Sequence, residues 1–214
     1  GNVKNEWPDL DFRWGELSQW VNYHGWFRSV KASTRYTRAE NKTLQEGYLT
    51  RRDVQGRWSP FLDLSVTVRS GMTFTLRVDH SGMTEESYAP FKRALDQATG
   101  GGETKVSLGT KRSFNVTRTI SMPLTGTQER VTTRLDLGIQ IAYDKRKGMI
   151  TRAGSRPNVT RDKRLFDFAV NGSYQFTKTV TGRVVVNFGE DADNENKTNT
   201  RRYVEVRLTA GFSF

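Results

Sequence analysis

The sequence predicts an all-β chain: an antiparallel transmembrane β-barrel segment of about eight to nine meander strands, with long outer loops and one or two short helices. Three observations carry this expectation. Apolar and polar residues alternate strictly over long stretches, so each stretch presents two chemically different faces. The connections between the stretches alternate between short and long. The composition also argues against an ordinary core, with 35% hydrophobic residues in 214 and a mean hydropathy of −0.69, yet 11% aromatics. A disordered chain would lack those aromatics.

The first element is a short strand in which Leu10, Phe12 and Trp14 alternate with Asp9, Asp11 and Arg13. After it, Leu17, Trp20, Val21 and His24 fall at helical spacing between Trp14 and Trp26, which suits a short helix over Glu16–His24 lying in a membrane interface, or a packed turn. Residues 1–26 are therefore expected to lead into the barrel, and residues 27–214 to form its strands. The strands follow at 27–38 and 50–68, the second bending at Pro60, where Leu62, Leu64, Val66 and Val68 alternate with Asp63, Ser65, Thr67 and Arg69. A tight turn at Arg69-Ser70-Gly71 leads to 72–80, with Phe74, Leu76 and Val78 set against Thr75, Arg77 and Asp79.

Residues 81–102 read as a long polar loop. Within it Phe91, Leu95 and Ala98 form an apolar stripe opened by Pro90 and stopped by Gly100, which predicts a helix over Pro90–Ala98. The strands continue at 103–112, at 130–144 in odd phase, at 164–176, at 180–189 and at 201–214. Long polar connections are expected at 145–163 and 189–200, and a tight turn at Thr177-Lys178-Thr179. If the chain ends on the periplasmic side, the tight turns lie inside and these three long loops outside, while 112–130 is a long connection on the inner side. An antiparallel sandwich also alternates, but it rarely combines strands of about ten or more residues with charge along the whole polar face.

On this reading Leu135, Leu137, Ile139, Phe166, Phe168, Val184, Val186, Val206 and Leu208 face lipid. The opposite face lines a lumen with Arg57, Asp63, Arg69, Arg77, Asp79, Lys105, Arg134, Asp136, Asp167, Arg183, Glu205 and Arg207. Both signs are mixed there. The excess charge, from 34 Lys+Arg against 23 Asp+Glu, gathers in Lys145, Arg146, Lys147, Arg152, Arg156, Arg161, Lys163 and Arg164. Such a loop sits well beside the phosphates of lipopolysaccharide, and a merely solubilising role is equally compatible. A nucleic-acid partner is not expected, because its cations would cluster with stacking aromatics on one face.

Nothing in the chain points to catalysis, a cofactor or a metal. The absence of cysteine excludes disulfide scaffolds, zinc ribbons, thiol catalysis and iron–sulfur clusters. Asp79-His80-Ser81 looks like part of a hydrolytic triad, but adjacent strand residues point to opposite faces, so Asp79 cannot orient His80. Asp191, Asp193 and Glu195 echo calcium-loop positions, yet Asn196 replaces the turn glycine and Arg202 stands where the bidentate glutamate belongs. No run of about 18 apolar residues is present, so no helix is expected to span a membrane. The start at Gly1-Asn2-Val3, without an initiator Met or a signal peptide, reads as a processed chain or a fragment.

The last strand ends in alternate apolar residues Val206, Leu208, Ala210, Phe212 and Phe214. This resembles the assembly signal, here Leu208, Ala210, Phe212 and Phe214, that outer-membrane barrels present to their insertion machinery. The order of Trp7-Pro8-Asp9-Leu10, Trp14-Gly15-Glu16-Leu17, Trp58-Ser59-Pro60-Phe61 and the closing Leu208-Thr209-Ala210-Gly211-Phe212-Ser213-Phe214 further resembles the C-terminal part of the SprA/Sov family, the outer-membrane translocon of type IX secretion. That resemblance implies a bacterial outer-membrane location and a pore wall through which folded cargo protein passes, with plug and lipid-bound barrel subunits as partners. It brings no catalytic residue. The family barrel is several times longer than this chain, so a fragment or a short relative is implied. The alternatives are a complete small eight-stranded barrel with a structural or narrow-pore role, and an outer-membrane hydrolase, which needs a polar cluster at the rim.

Overall fold

Strict alternation in the chain becomes one antiparallel sheet in the computed structural model, which describes residues 1–6, 8–15, 17, 19, 25–89, 94–121, 128–176, 180–193 and 199–212. Its strands are β1 (Asn2–Glu6), β2 (Leu10–Trp14), β3 (Phe27–Gln45), β4 (Tyr48–Val68), β5 (Thr73–Tyr88), β6 (Leu95–Ser121), β7 (Gln128–Arg152), β8 (Asn158–Gln175), β9 (Val180–Asp193) and β10 (Asn199–Phe212). From β3 to β10 each strand pairs with its sequence neighbours, a meander. β1 and β2 both lie antiparallel on β3, β1 against 39–43 and β2 against 32–36, so ten strands fill nine positions. Residues 7–9, with Pro8 unable to donate a backbone bond, separate the two pieces.

The register carries one apolar face across the sheet. Trp14, Ala32, Leu64, Leu76, Leu108, Ile141, Phe168, Phe188 and Val204 stand directly opposite one another on successive strands. Two rows toward the tight turns, Leu137, Gly172, Val184 and Leu208 are likewise aligned. From Leu135 to Tyr143 this band runs about 27 Å along β7, or about 20 Å in height at a barrel-like strand tilt of about 40°. No core lies beneath it: among the described residues Val30 is the one buried hydrophobic side chain, whereas Leu137 is 45% and Leu208 74% exposed. The odd phase of β7 is resolved by pairing, because Ile139 meets Val170 and Ile141 meets Phe168.

The long connections are where the structure departs from the sequence-based expectation. Expected loops 81–102, 145–163 and 189–200 are largely strand: β5 runs to Tyr88, β6 starts at Leu95, β7 reaches Arg152, β8 starts at Asn158, β9 reaches Asp193 and β10 starts at Asn199. The expected helix over Pro90–Ala98 is corrected accordingly. Leu95–Ala98 is strand, paired at Leu95 with Tyr88 and at Ala98 with Glu86, and residues 90–93 lie outside the described set. Alternation vanishes in these segments because neither face is apolar, yet the backbone ladder continues and glycines Gly100, Gly101 and Gly102 fit it without side chains. The inner connection 112–130 is also mostly paired, Arg112 to Ser121 lying against Leu137 to Gln128, and it projects as a two-stranded ribbon beyond the Thr73–Lys111 and Leu135–Tyr174 ends of its neighbours. The expected helix over Glu16–His24 falls outside the described residues apart from Leu17 and Gln19, and β1 was not foreseen.

Where the apolar face ends, charges take it over. Glu40 accepts from Arg52 Nε at 2.7 Å and pairs with Lys42 at 3.2 Å, while Arg52 also reaches Glu86, which accepts from the Tyr88 hydroxyl at 2.7 Å. The hydrogen bond from Arg52, and then that from Lys42, holds the Glu40 carboxyl below its ordinary value. A depressed acid stabilises the fold above its unfolded pKa, and that contribution is lost as pH falls through the lower folded value. Acidification below about pH 4 is therefore expected to fray this end of the β3–β4 hairpin. Amide protection factors for 39–54, corrected for intrinsic exchange, check it: the acid loss present in the parent should be absent in Glu40→Gln, and the same acid loss in both would refute it.

Candidate functional site: the charged sheet face

Opposite the apolar face, the same register builds a charged one. Arg13, Ser33, Asp63, Arg77, Ser107, Ala142, Asp167, Gly189 and Tyr203 form one row of it. Same-face residues two apart on a strand hold each other. Arg77 meets Asp79 at 2.8 Å and Asp63 at 3.6 Å, Arg134 meets Asp136 at 2.9 Å, and Arg207 meets Glu205 at 2.6 Å. Lys105, directly opposite Asp79 and Asp144, bonds Glu103 at 3.1 Å. These groups are half-exposed, so such pairs contribute little individually and chiefly fix side-chain direction.

The residues expected on this face fall on it with one exception. Arg57 stands opposite Thr37 and Ser81, Arg183 opposite Ser173 and Thr209, and Asp167 accepts from the Tyr203 hydroxyl. Arg69 lies past the end of β4, where its backbone N–H donates to Trp26 O at 3.0 Å in the tight turn closed by Val68 and Met72. Gly71 takes φ +79° there, a conformation that favours glycine. The nine residues expected on the apolar face share it, and Phe212 meets Val180, while Phe214 lies outside the described residues.

Asp79 and His80 diverge, as strand geometry requires. Asp79 accepts from Ser59 Oγ at 2.9 Å on the charged face, and His80 Nδ1 lies 2.9 Å from Thr104 Oγ1 on the other. The acidic segment of β9 is tied to cations, Glu190 to Arg202 at 2.8 Å and Asp193 to Lys163 at 3.6 Å. Sequence reasoning missed the contact of Glu103 with Arg146 at 2.7 Å, because Arg146 was assigned to the loop 145–163 while Glu103 opened the strand 103–112. A shallow hollow of about 1300 Å³ lies on the charged side, bordered by Arg57, Arg77, Asp79, Glu103, Lys105 and Arg146.

The fold and this face define an antiparallel meander sheet with one uncovered apolar surface and one hydrated surface of mixed charge, an arrangement that fits a β-barrel wall. No protein-family model and no curated protein matches the chain.

Proposed function

We propose that the chain is a wall segment of a protein-conducting channel in a bacterial outer membrane, similar to the translocon of type IX secretion. The observation that carries this reading is a two-faced sheet with no core beneath its apolar side among the described residues. A water-soluble protein leaves no apolar surface of this extent uncovered. Lipid satisfies it. The charged face then lines water, where mixed and locally paired charges offer passing polypeptide no continuous apolar surface to adhere to. Passage is passive, and no catalytic step is assigned.

The strand count supports an arc rather than a closed small barrel. With nine positions in a meander, the first (β1 and β2) and the last (β10) run in the same direction. Direct closure between them is parallel, whereas single-chain bacterial barrels normally close antiparallel with an even count. A barrel of about eight strands is moreover filled by its own side chains. Packing the charged face into so small a space would strip its ions of water. A wide lumen, completed by further polypeptide or by other translocon subunits, leaves them hydrated.

A photo-crosslinking amino acid at Ser107 or Thr209 on the charged face, and at Leu108 or Leu208 on the apolar face, tests this in secreting cells. Secreted cargo should crosslink from the charged-face sites alone. Crosslinks to cargo from neither pair, or equally from both, would sink the channel reading.

A further inference from the structure

β6 continues as strand after its neighbour β5 has ended. The β5–β6 ladder stops where Thr73 meets Lys111, because the chain turns back through residues 69–72, while β6 runs on to Ser121. From Arg112 to Ser121 it pairs with β7 without a register shift, and among the described residues nothing pairs with its other side. Native sheets guard such an edge with proline, a bulge, short length or charge. Residues 112–121 hold neither proline nor bulge, and their two charges, Arg112 and Arg118, lie over the rings of Phe114 and Tyr174 at 4.7 and 5.1 Å. A two-stranded ribbon is marginally stable in water, so a third strand has stability to contribute.

The turns fix which main-chain groups lie open. Val68 N–H donates to Met72 O at 2.9 Å, which makes these two a hydrogen-bonded pair. Bonded and non-bonded pairs alternate in an antiparallel sheet, so Thr67 with Thr73 is non-bonded, Thr73 with Lys111 bonded, and Lys111 with Gly138 non-bonded. The N–H and C=O groups of Ser113, Asn115, Thr117 and Thr119 therefore point away from β7 into the open edge, and those of Phe114, Val116 and Arg118 point toward β7. The β8–β9 turn gives the same parity from the other side, since Phe176 N–H donates to Val180 O at 2.9 Å. Side chains agree. The hydroxyls of Thr67 and Thr73 lie 3.1 Å apart and those of Thr117 and Thr132 3.4 Å, as the closer non-bonded pairs allow. Ser113, Asn115, Thr117 and Thr119 are all exposed.

We propose that the β6 edge from Ser113 to Thr119 receives an extended acidic segment of a second protein, which adds to the sheet as a strand in line with β5. Net charge selects the segment: between Glu103 and Glu129 the chain carries Lys105, Lys111, Arg112 and Arg118 and no carboxylate. Across the ladder Asp136 is held by Arg134 and Ser113, and Glu129, at the far end opposite Ile120, is followed by Arg130. A second copy of β6 fits poorly, since antiparallel pairing about Asn115 sets Arg112 against Arg118. Four residues that each offer two main-chain groups hold a strand in place, which suits a partner that stays rather than a polypeptide in passage. The inference rests on the ladder alone, so its failure leaves the channel reading untouched.

The test is fluorescence anisotropy of synthetic peptides on the purified chain in detergent. A peptide of about ten residues, alternating valine and threonine with two glutamates, should bind. The same peptide with lysines for the glutamates should bind about tenfold more weakly, and one N-methylated along its central main-chain nitrogens should not bind. Asn115→Pro removes a donor from the open edge and leaves the β7 ladder its bonds, so it should weaken binding about tenfold while the amides of Phe114 and Val116 stay protected from exchange. No binding by the parent chain, equal binding of the lysine or the N-methylated peptide, or undiminished binding by Asn115→Pro with those amides protected overturns the proposal. If the substitution opens the ribbon, the N-methylated peptide decides. In cells, a photo-crosslinking amino acid at Thr117 should give the same adduct whether secretion runs or is blocked, and an adduct formed only while secretion runs would assign the edge to passing polypeptide and overturn the fixed partner.

Discussion

Arginine at Ile139 is expected to destabilise the inserted protein by about 2 to 4 kcal/mol, the cost of a charge near the bilayer midplane on a barrel's lipid face. Ile139 lies in the middle row of the apolar band, opposite Thr110 and Val170 and 43% exposed. Leu137, one row nearer the tight turns, has Arg112 directly across from it, and that guanidinium sits 4.7 Å from the Phe114 ring centre rather than free in the band. Arginine at Leu137 therefore exchanges some depth penalty for like-charge repulsion and is also expected to be costly. Reversible unfolding from lipid vesicles measures both. Cysteine labelling checks the faces independently: an aqueous maleimide should modify a cysteine at Asp136 and spare one at Leu137. Equal reaction at the two sites would show that the alternation does not separate lipid from water.

Removing Phe214 is expected to slow or prevent insertion, the larger effect in cells. The final strand presents Val206, Leu208, Ala210 and Phe212 on one face, opposite Val186, Val184, Gly182 and Val180 of β9. Phe214, two residues beyond Phe212 in sequence, resembles the terminal aromatic that insertion machinery reads, and on the proposed channel reading its expected role is to anchor the strand at the interface. Heat- and detergent-resistant protein at parental levels in the outer membrane after the deletion would remove that role. Loss of membrane levels with normal in vitro refolding into vesicles would assign the defect to recognition rather than to stability.

Most of the fold was legible because a period of two is imposed wherever one face is apolar. Leu76, Leu108, Ile141, Phe168 and Phe188 announce their strands, and even the odd phase of β7 follows, since pairing fixes parity strand by strand. What was not legible is where strands end. Lys145 to Arg152 and Asn158 to Arg164 carry charge on both faces, so no alternation marks them, although hydrogen-bonded partners hold them in the ladder. The apolar stripe of Phe91, Leu95 and Ala98 misled for a related reason: over so short a run, spacing of three and four does not outweigh a neighbouring edge that offers the backbone its bonds. For the candidate site, alternation alone grouped Arg57, Arg77, Arg134 and Arg183 on one sheet face but not Arg69, which lies past the end of β4, and the partners that orient them, such as Glu103 with Arg146, required the register.

The meander has a kinetic consequence. From β3 onward every ladder joins strands adjacent in sequence, so each hairpin can zip from its own turn with little loop entropy to overcome. Assembly can therefore proceed as a growing edge, each completed hairpin templating the next strand. The first position is the exception. β1 and β2 must return across residues 15–26 to lie along β3, and they do so as two separate short pieces. That edge is the one expected to order last and to exchange its amide protons first, so the sheet's two margins differ in how they form although both are strand edges.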